Sequence, residues 1–165
     1  MKKYEFTGET KEIRLLFRTA TLHRIRATVA FGIVEVGDLG GWIEKEENLS
    51  HEGKAWVWGN AEVCGDAKVC GDAEVCGDAK VFSASHVLVI GAIGSRNDFT
   101  TFYRDKDNEI TVKCGCFLGK IDRFLEKVTQ THGDSKYALV YRAVVEVAKL
   151  QIDLSGEAPK DADEE

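Results

Sequence analysis

Proline is almost absent from this chain: the single one, Pro159, stands near the C-terminus, so the body must turn on glycine, asparagine and aspartate. No apolar run approaches the roughly 18 residues of a membrane helix. The start, Met1-Lys2-Lys3-Tyr4-Glu5, lacks the apolar stretch of a secretory signal. The expected setting is the cytoplasm. An excess of positive charge is missing too, with 22 Lys and Arg against 28 Asp and Glu and a net charge of −6. Glu157, Asp161, Asp163, Glu164 and Glu165 against Lys160 carry a net −4 of this, which leaves −2 on the rest. The near-neutral body offers no basic face for duplex nucleic acid. Residues 154–165 read as a disordered acidic tail. Five cysteines, an odd number, make no disulfide framework. Cys64, Cys70 and Cys76 occupy equivalent repeat positions and read as small apolar space-fillers. Cys114-Gly115-Cys116 has one intervening residue and no nearby histidine pair, so neither a metal site nor a cofactor is expected.

What the chain has is a six-residue period. It reads Ala55-Trp56-Val57-Trp58-Gly59-Asn60, then Ala61-Glu62-Val63-Cys64-Gly65-Asp66, and continues through Ala67, Ala73 and Ala79 to Leu88. Glycine at every sixth position would break a helix, and six does not match a 3.6-residue turn. A period of six predicts a parallel β-helix in which each unit is a short strand and a corner. Alanine and valine lie two apart and face inward together. The Gly-Asn or Gly-Asp pair makes the corner, where glycine accepts a positive φ.

The flanks read differently. Residues 1–50 form a β-rich N-terminal cap: Tyr4–Thr7 and Leu22–Ala27 alternate as strands, separated by a charged stretch from Glu9 to Arg18. The cluster Gly37-Asp38-Leu39-Gly40-Gly41-Trp42 reads as a tight turn with an anchoring aromatic, since it lacks the GxGxxG spacing of a phosphate loop. The β-helix takes residues 51–92. Residues 93–153 form a module of a hairpin, around Asp105-Lys106-Asp107-Asn108, plus two helices. The first helix carries Ile121, Phe124, Leu125 and Val128 on one face and ends near Gly133; the second carries Tyr137, Tyr141, Val144, Val145 and Ala148.

The hexapeptides, the lead-in Gly37–Trp42 with Asn48-Leu49-Ser50, and the later Gly94-Ser95-Arg96-Asn97 and Cys114-Gly115-Cys116-Phe117 occur in one order. In that order the chain resembles small hexapeptide-repeat proteins of phages and prophages, with a GDLGGW-type start and a GSR…CGCF-type end. The resemblance implies a left-handed β-helix with three hexapeptides per coil, so that residues 18 apart stack. Glu62 then lies over Lys80, Trp58 over Cys76, and Cys64 over Phe82. Residues 55–90 make about two coils, too few to bury and cap an interior unaided. The outward row Trp56, Trp58, Cys64, Cys70, Cys76, Phe82 and Leu88 is too apolar for open water. Together with the packing habits of the family, it points to a homotrimer.

Three function classes follow. Hexapeptide β-helices are best known as acyltransferases, which place a catalytic histidine on a loop interrupting the coils. No loop interrupts residues 55–88, and only His51 and His86 are placed to act as a base; His86 stands where other units carry Glu or Lys. No catalytic residue is therefore assigned. The second class is non-enzymatic sequestration of a small anionic, nucleotide-like signal of a bacterial defence system, in keeping with the phage resemblance. Its candidate residues are Ser95, Arg96 and Asn97 for the anion and Trp42, Trp56 and Tyr103 for a base. The third is an inhibitor or scaffold that binds a host defence protein through the acidic tail and outer helices.

Overall fold

The computed structural model describes residues 1–156. The fold is mainly β, with two helices at its C-terminal end. Strands β1 (Tyr4–Arg14), β2 (Thr19–Ala27) and β3 (Leu39–Ile43) run antiparallel in turn. Gly8, at φ +95°, marks a register shift in β1. The repeat then supplies two-residue strands: β4 (Trp56–Val57), β5 (Glu62–Val63), β6 (Glu74–Val75) and β7 (Lys80–Val81). They pair parallel. Glu62 lies opposite Lys80 and Trp56 opposite Glu74, as an 18-residue coil requires. The coil starts earlier than the hexapeptides, because Trp42 pairs with Glu62 and Leu49 with Val69. β3 thus pairs with the N-terminal hairpin and with the coil at once, in one sheet of order β1-β2-β3-β5-β7.

The inward alanines and valines are closed off from water: Ala55, Ala61, Ala67, Ala73 and Ala79 are buried, as are Val57, Val63, Val69, Val75 and Val81. Each valine so buried contributes about 1.5–3 kcal/mol. Asn48 is buried at the first corner, where its Nδ2 donates to Ala67 O at 2.9 Å and Gly65 O at 3.2 Å. One end of the coil is closed by Tyr4, Phe31 and Trp56. There the Lys3 ammonium donates to Ala55 O at 2.6 Å and lies 4.7 Å over the Phe31 ring; burial pulls its pKa down to about 8.

The repeat's corner chemistry stops at Ser83-Ala84, which has no glycine. Ser83 Oγ accepts from Ser85 N and starts a short 3-10 turn instead. The chain then leaves the coil: β8 (Val87–Ile93) pairs antiparallel with β9 (Asp98–Arg104), so Val87 and Leu88 do not continue the parallel register. β10 (Ile110–Cys114) and β11 (Phe117–Lys120) complete a sheet of order β11-β10-β9-β8. Against it pack α1 (Ile121–His132) and α2 (Lys136–Gln151) through Phe102, Val112, Phe124, Val128, Tyr141 and Val145. The helices lie where periodicity places them, with Gly133 at φ +56° ending the first. β8 and β9 also close the second end of the coil, where Tyr103 packs into its core and its hydroxyl donates to Cys76 O at 3.0 Å. Among the described residues no helix is long and apolar enough to cross a membrane, and most of the expected acidic tail lies outside them.

Candidate functional site

The residues proposed for ligand binding fall into two unrelated groups. Ser95, Arg96 and Asn97 are exposed at the turn between β8 and β9, where Asn97 takes a left-handed φ of +48°. Gly94 opens this turn because a Cβ there would collide with the Tyr141 ring and hydroxyl. The glycine of the Gly-Ser-Arg motif therefore serves packing. Tyr103 lies five residues along β9 from Asp98, roughly 16 Å from that turn.

All three aromatic candidates have their ring faces filled by the chain. Trp56 is 0% exposed and meets the rings of Phe31 and Tyr4 edge-on at 5.2 and 6.3 Å. Trp42 is 6% exposed, with Lys11 Nζ 4.6 Å and the Arg24 guanidinium 5.5 Å from its ring. Tyr103 is buried in the coil end. None presents a face to a base. For Trp56 and Tyr103 the reason is the coil's shortness, which draws them in as end caps, whereas Trp42 is covered by the N-terminal hairpin.

The same holds for most of the outward apolar row. Trp42 and Cys64 are packed by Ile13, Ala20 and Leu22 of the N-terminal hairpin, with Phe82 against them. Cys76 is buried and Cys70 exposed. One chain covers much of what was to drive three-fold packing. Burial pushes the thiols of Cys64 and Cys76 up to about 12, which leaves them inert.

Both histidines weighed as bases are tied to the backbone. His51 Nδ1 accepts from Lys3 N at 3.1 Å, and its ring stacks on Tyr4 at 4.1 Å. His86 Nδ1 accepts from Phe82 N at 3.1 Å; burial, helped by Arg104, pulls its pKa down to about 4. Each ring nitrogen that would take a proton already holds an amide. The acids near the β9–β10 turn are likewise engaged. Asp105 accepts from the backbone amides of Asp107 and Glu109, from Thr111 at 2.7 Å and from Lys120 at 2.7 Å. The groove beside them holds about 180 Å³, well short of the several hundred Å³ of a small-molecule site. Among the described residues, no three His, Cys, Asp or Glu side chains gather to hold a metal.

Two larger open grooves, of about 420 and 460 Å³, run along the exposed side of α1, and two apolar features also stand open. β1 and β2 meet in a turn closed by Leu15 N to Arg18 O at 2.8 Å, and its two central residues, Leu16 and Phe17, are 81% and 93% exposed. Turn centres favour Pro, Asn, Asp and Gly. A leucine and a phenylalanine there gain nothing for the fold. On the outer side of α2, Leu139 and Leu150 are 60% and 89% exposed. A "charged stretch" from Glu9 to Arg18 hid the first feature. Its signal was present in Leu15-Leu16-Phe17, three apolar residues in a row without a glycine or Asx to excuse the turn. No known protein family matches the chain, and no curated protein matches it either.

Proposed function

We propose that this chain is a non-enzymatic binding protein that acts through the Leu16–Phe17 tip of its N-terminal hairpin on another protein. The observation that carries the reading is the exposed apolar pair at the centre of a tight turn, flanked by Arg14 and Arg18. Arg18 is held against Glu44, at 2.5 and 3.0 Å, so the base of the tip is stiff. A rigid apolar anchor loses little entropy on docking. The matching partner surface is an apolar pocket that takes the leucine and phenylalanine side chains. An anionic lipid surface fits less well, because Glu9 and Glu12 are exposed on the same strand. The coil, wound left-handed as the hexapeptide resemblance implies, is the stiff mount. In the phage setting implied by that resemblance, the target is a host defence protein. The double change Leu16→Asp with Phe17→Asp abolishes partner capture and leaves the melting temperature unchanged; capture that survives it removes the tip from the interface.

A second reading keeps one observation in its favour, the exposed Arg96 between Ser95 and Asn97. Arginine grips phosphate bidentately. Three such turns in a homotrimer would gather enough donors to sequester a small nucleotide-like anion without turnover. Native mass spectrometry separates the two readings: a retained anion, lost in Arg96→Ala, favours sequestration.

A further inference from the structure

Arg104 closes β9 as a buried cation whose bonding the described residues leave incomplete. It is 5% exposed. Its Nε donates to Lys80 O at 2.9 Å, and its guanidinium lies 5.0 Å from the Phe82 ring. Among the described residues neither terminal nitrogen has a hydrogen-bond partner, and no carboxylate stands within ion-pair distance. A guanidinium withdrawn from water keeps its charge and its five donors, so it calls for an anion. The acids whose charge reaches Arg104 or the neighbouring His86 are committed elsewhere. Asp105 accepts from Thr111 and Lys120, and Asp66 from Ala84 N at 2.9 Å. Asp153 accepts from Ser155 N and Oγ at 2.9 and 2.5 Å.

The described chain ends beside this cation. Asp153 N donates to Ser85 O at 3.0 Å, and Ser85 belongs to the turn, closed by Phe82 N on His86 Nδ1, whose Phe82 ring carries Arg104. Beyond Gly156 follow Glu157, Asp161, Asp163, Glu164 and Glu165, five carboxylates against Lys160. Residues 157–165 span up to about 30 Å when extended, so the first of these acids come within range of the guanidinium. We propose that Arg104 is the receptor for this acidic C-terminal segment, whose carboxylates take its two open nitrogens. Charge selects the occupant, and the paired oxygens of a carboxylate match the fork of the guanidinium. The tether adds to it, since a group held on a short linker is present at an effective concentration in the millimolar range. The contact is a strap. Arg104 already joins the C-terminal sheet to the coil through Lys80 O, and the segment ties the same seam a second time. The inference does not depend on the Leu16–Phe17 tip.

NMR of the full chain at low salt tests it, through backbone order parameters of residues 157–161 and the side-chain Nε–Hε signals of the arginines. Those order parameters should exceed about 0.6, below which a backbone is flexible. An amide tail, made by Glu157→Gln, Asp161→Asn, Asp163→Asn, Glu164→Gln and Glu165→Gln, should lower them. It should also move the Nε–Hε signal of Arg104 and leave that of Arg123 in place. Arg104 is unaltered in this variant, so a damaged core does not confuse the reading. Urea unfolding gives a second arm: the amide tail should lower the midpoint of the wild-type chain and leave that of Arg104→Gln where it was. Order parameters below about 0.6 in the intact chain, an Arg104 signal indifferent to the amide tail, or equal midpoint losses in both backgrounds overturn the proposal. So does inorganic phosphate that moves the Arg104 signal as far in the intact chain as in the amide-tail variant, since the site would then serve a small free anion.

Discussion

Glu62 and Lys80 illustrate how much single residues decide here. They lie on adjacent rungs, 2.9 Å apart and almost fully buried, with Lys11 2.6 Å from the other carboxylate oxygen. The 18-residue register was legible in the hexapeptides, and with it this pair. Its burial was not, because the covering strand comes from a hairpin some fifty residues upstream. Glu62→Ala removes the carboxylate that Lys11 and Lys80 share and should cost more in urea unfolding than the roughly 0–1 kcal/mol of a surface ion pair. His86 gives the chain a pH response between its folded and its ordinary pKa. Its folded pKa is about 4 against an ordinary 6.5, so between those values the unfolded chain takes up a proton that the folded one refuses. Stability should accordingly fall as pH drops from 6.5 to 4, by roughly 2–3 kcal/mol at this group once its partial exposure is allowed for. His51, also pulled down by burial, adds in the same direction. His86→Asn, which keeps an acceptor for Phe82 N, should flatten most of that slope; an unaltered slope would place the response elsewhere.

At the scale of elements, the corners separate coil from cap. Gly65 and Gly71 hold equivalent places in the repeat, at φ +67° and +64°. Their surroundings differ. A Cβ on Gly65 would stand 2.5 Å from Phe82 O, whereas one on Gly71 meets nothing within 4 Å. Gly71→Ala should therefore cost about 1–2 kcal/mol, the strain of left-handed backbone alone, and Gly65→Ala distinctly more. Equal losses in denaturant midpoints would contradict this stacking of corners. The period predicted the corners and the inward rows correctly. It ran too far at Val87, because one missing glycine at Ser83-Ala84 outweighs the apolar residues that follow. β8 and β11 escaped notice for the same reason: their apolar runs resemble the coil or the helix they adjoin, and only long-range pairing tells them apart.

For the whole molecule, end-capping governs what is left for function. So short a coil has two open ends, and the chain spends Tyr4, Trp56, Tyr103, His51 and His86 on closing them. All but Tyr4 are side chains that the sequence offers as ligand contacts or bases, since aromatic and histidine residues serve both ends equally well. The exposed turn at Ser95–Asn97 was legible as a turn, but not its distance from the aromatics. The Leu16–Phe17 tip follows the opposite logic, as an apolar pair that folding does not use. Site-specific photo-crosslinking from position 17, in a bacterial cell expressing the protein, tests this most directly. One protein adduct is expected, absent when Leu16 is changed to aspartate and absent from a probe placed at Arg96. A probe at position 17 that captures nothing, while the one at Arg96 captures a partner or the protein retains a small anion, would contradict it.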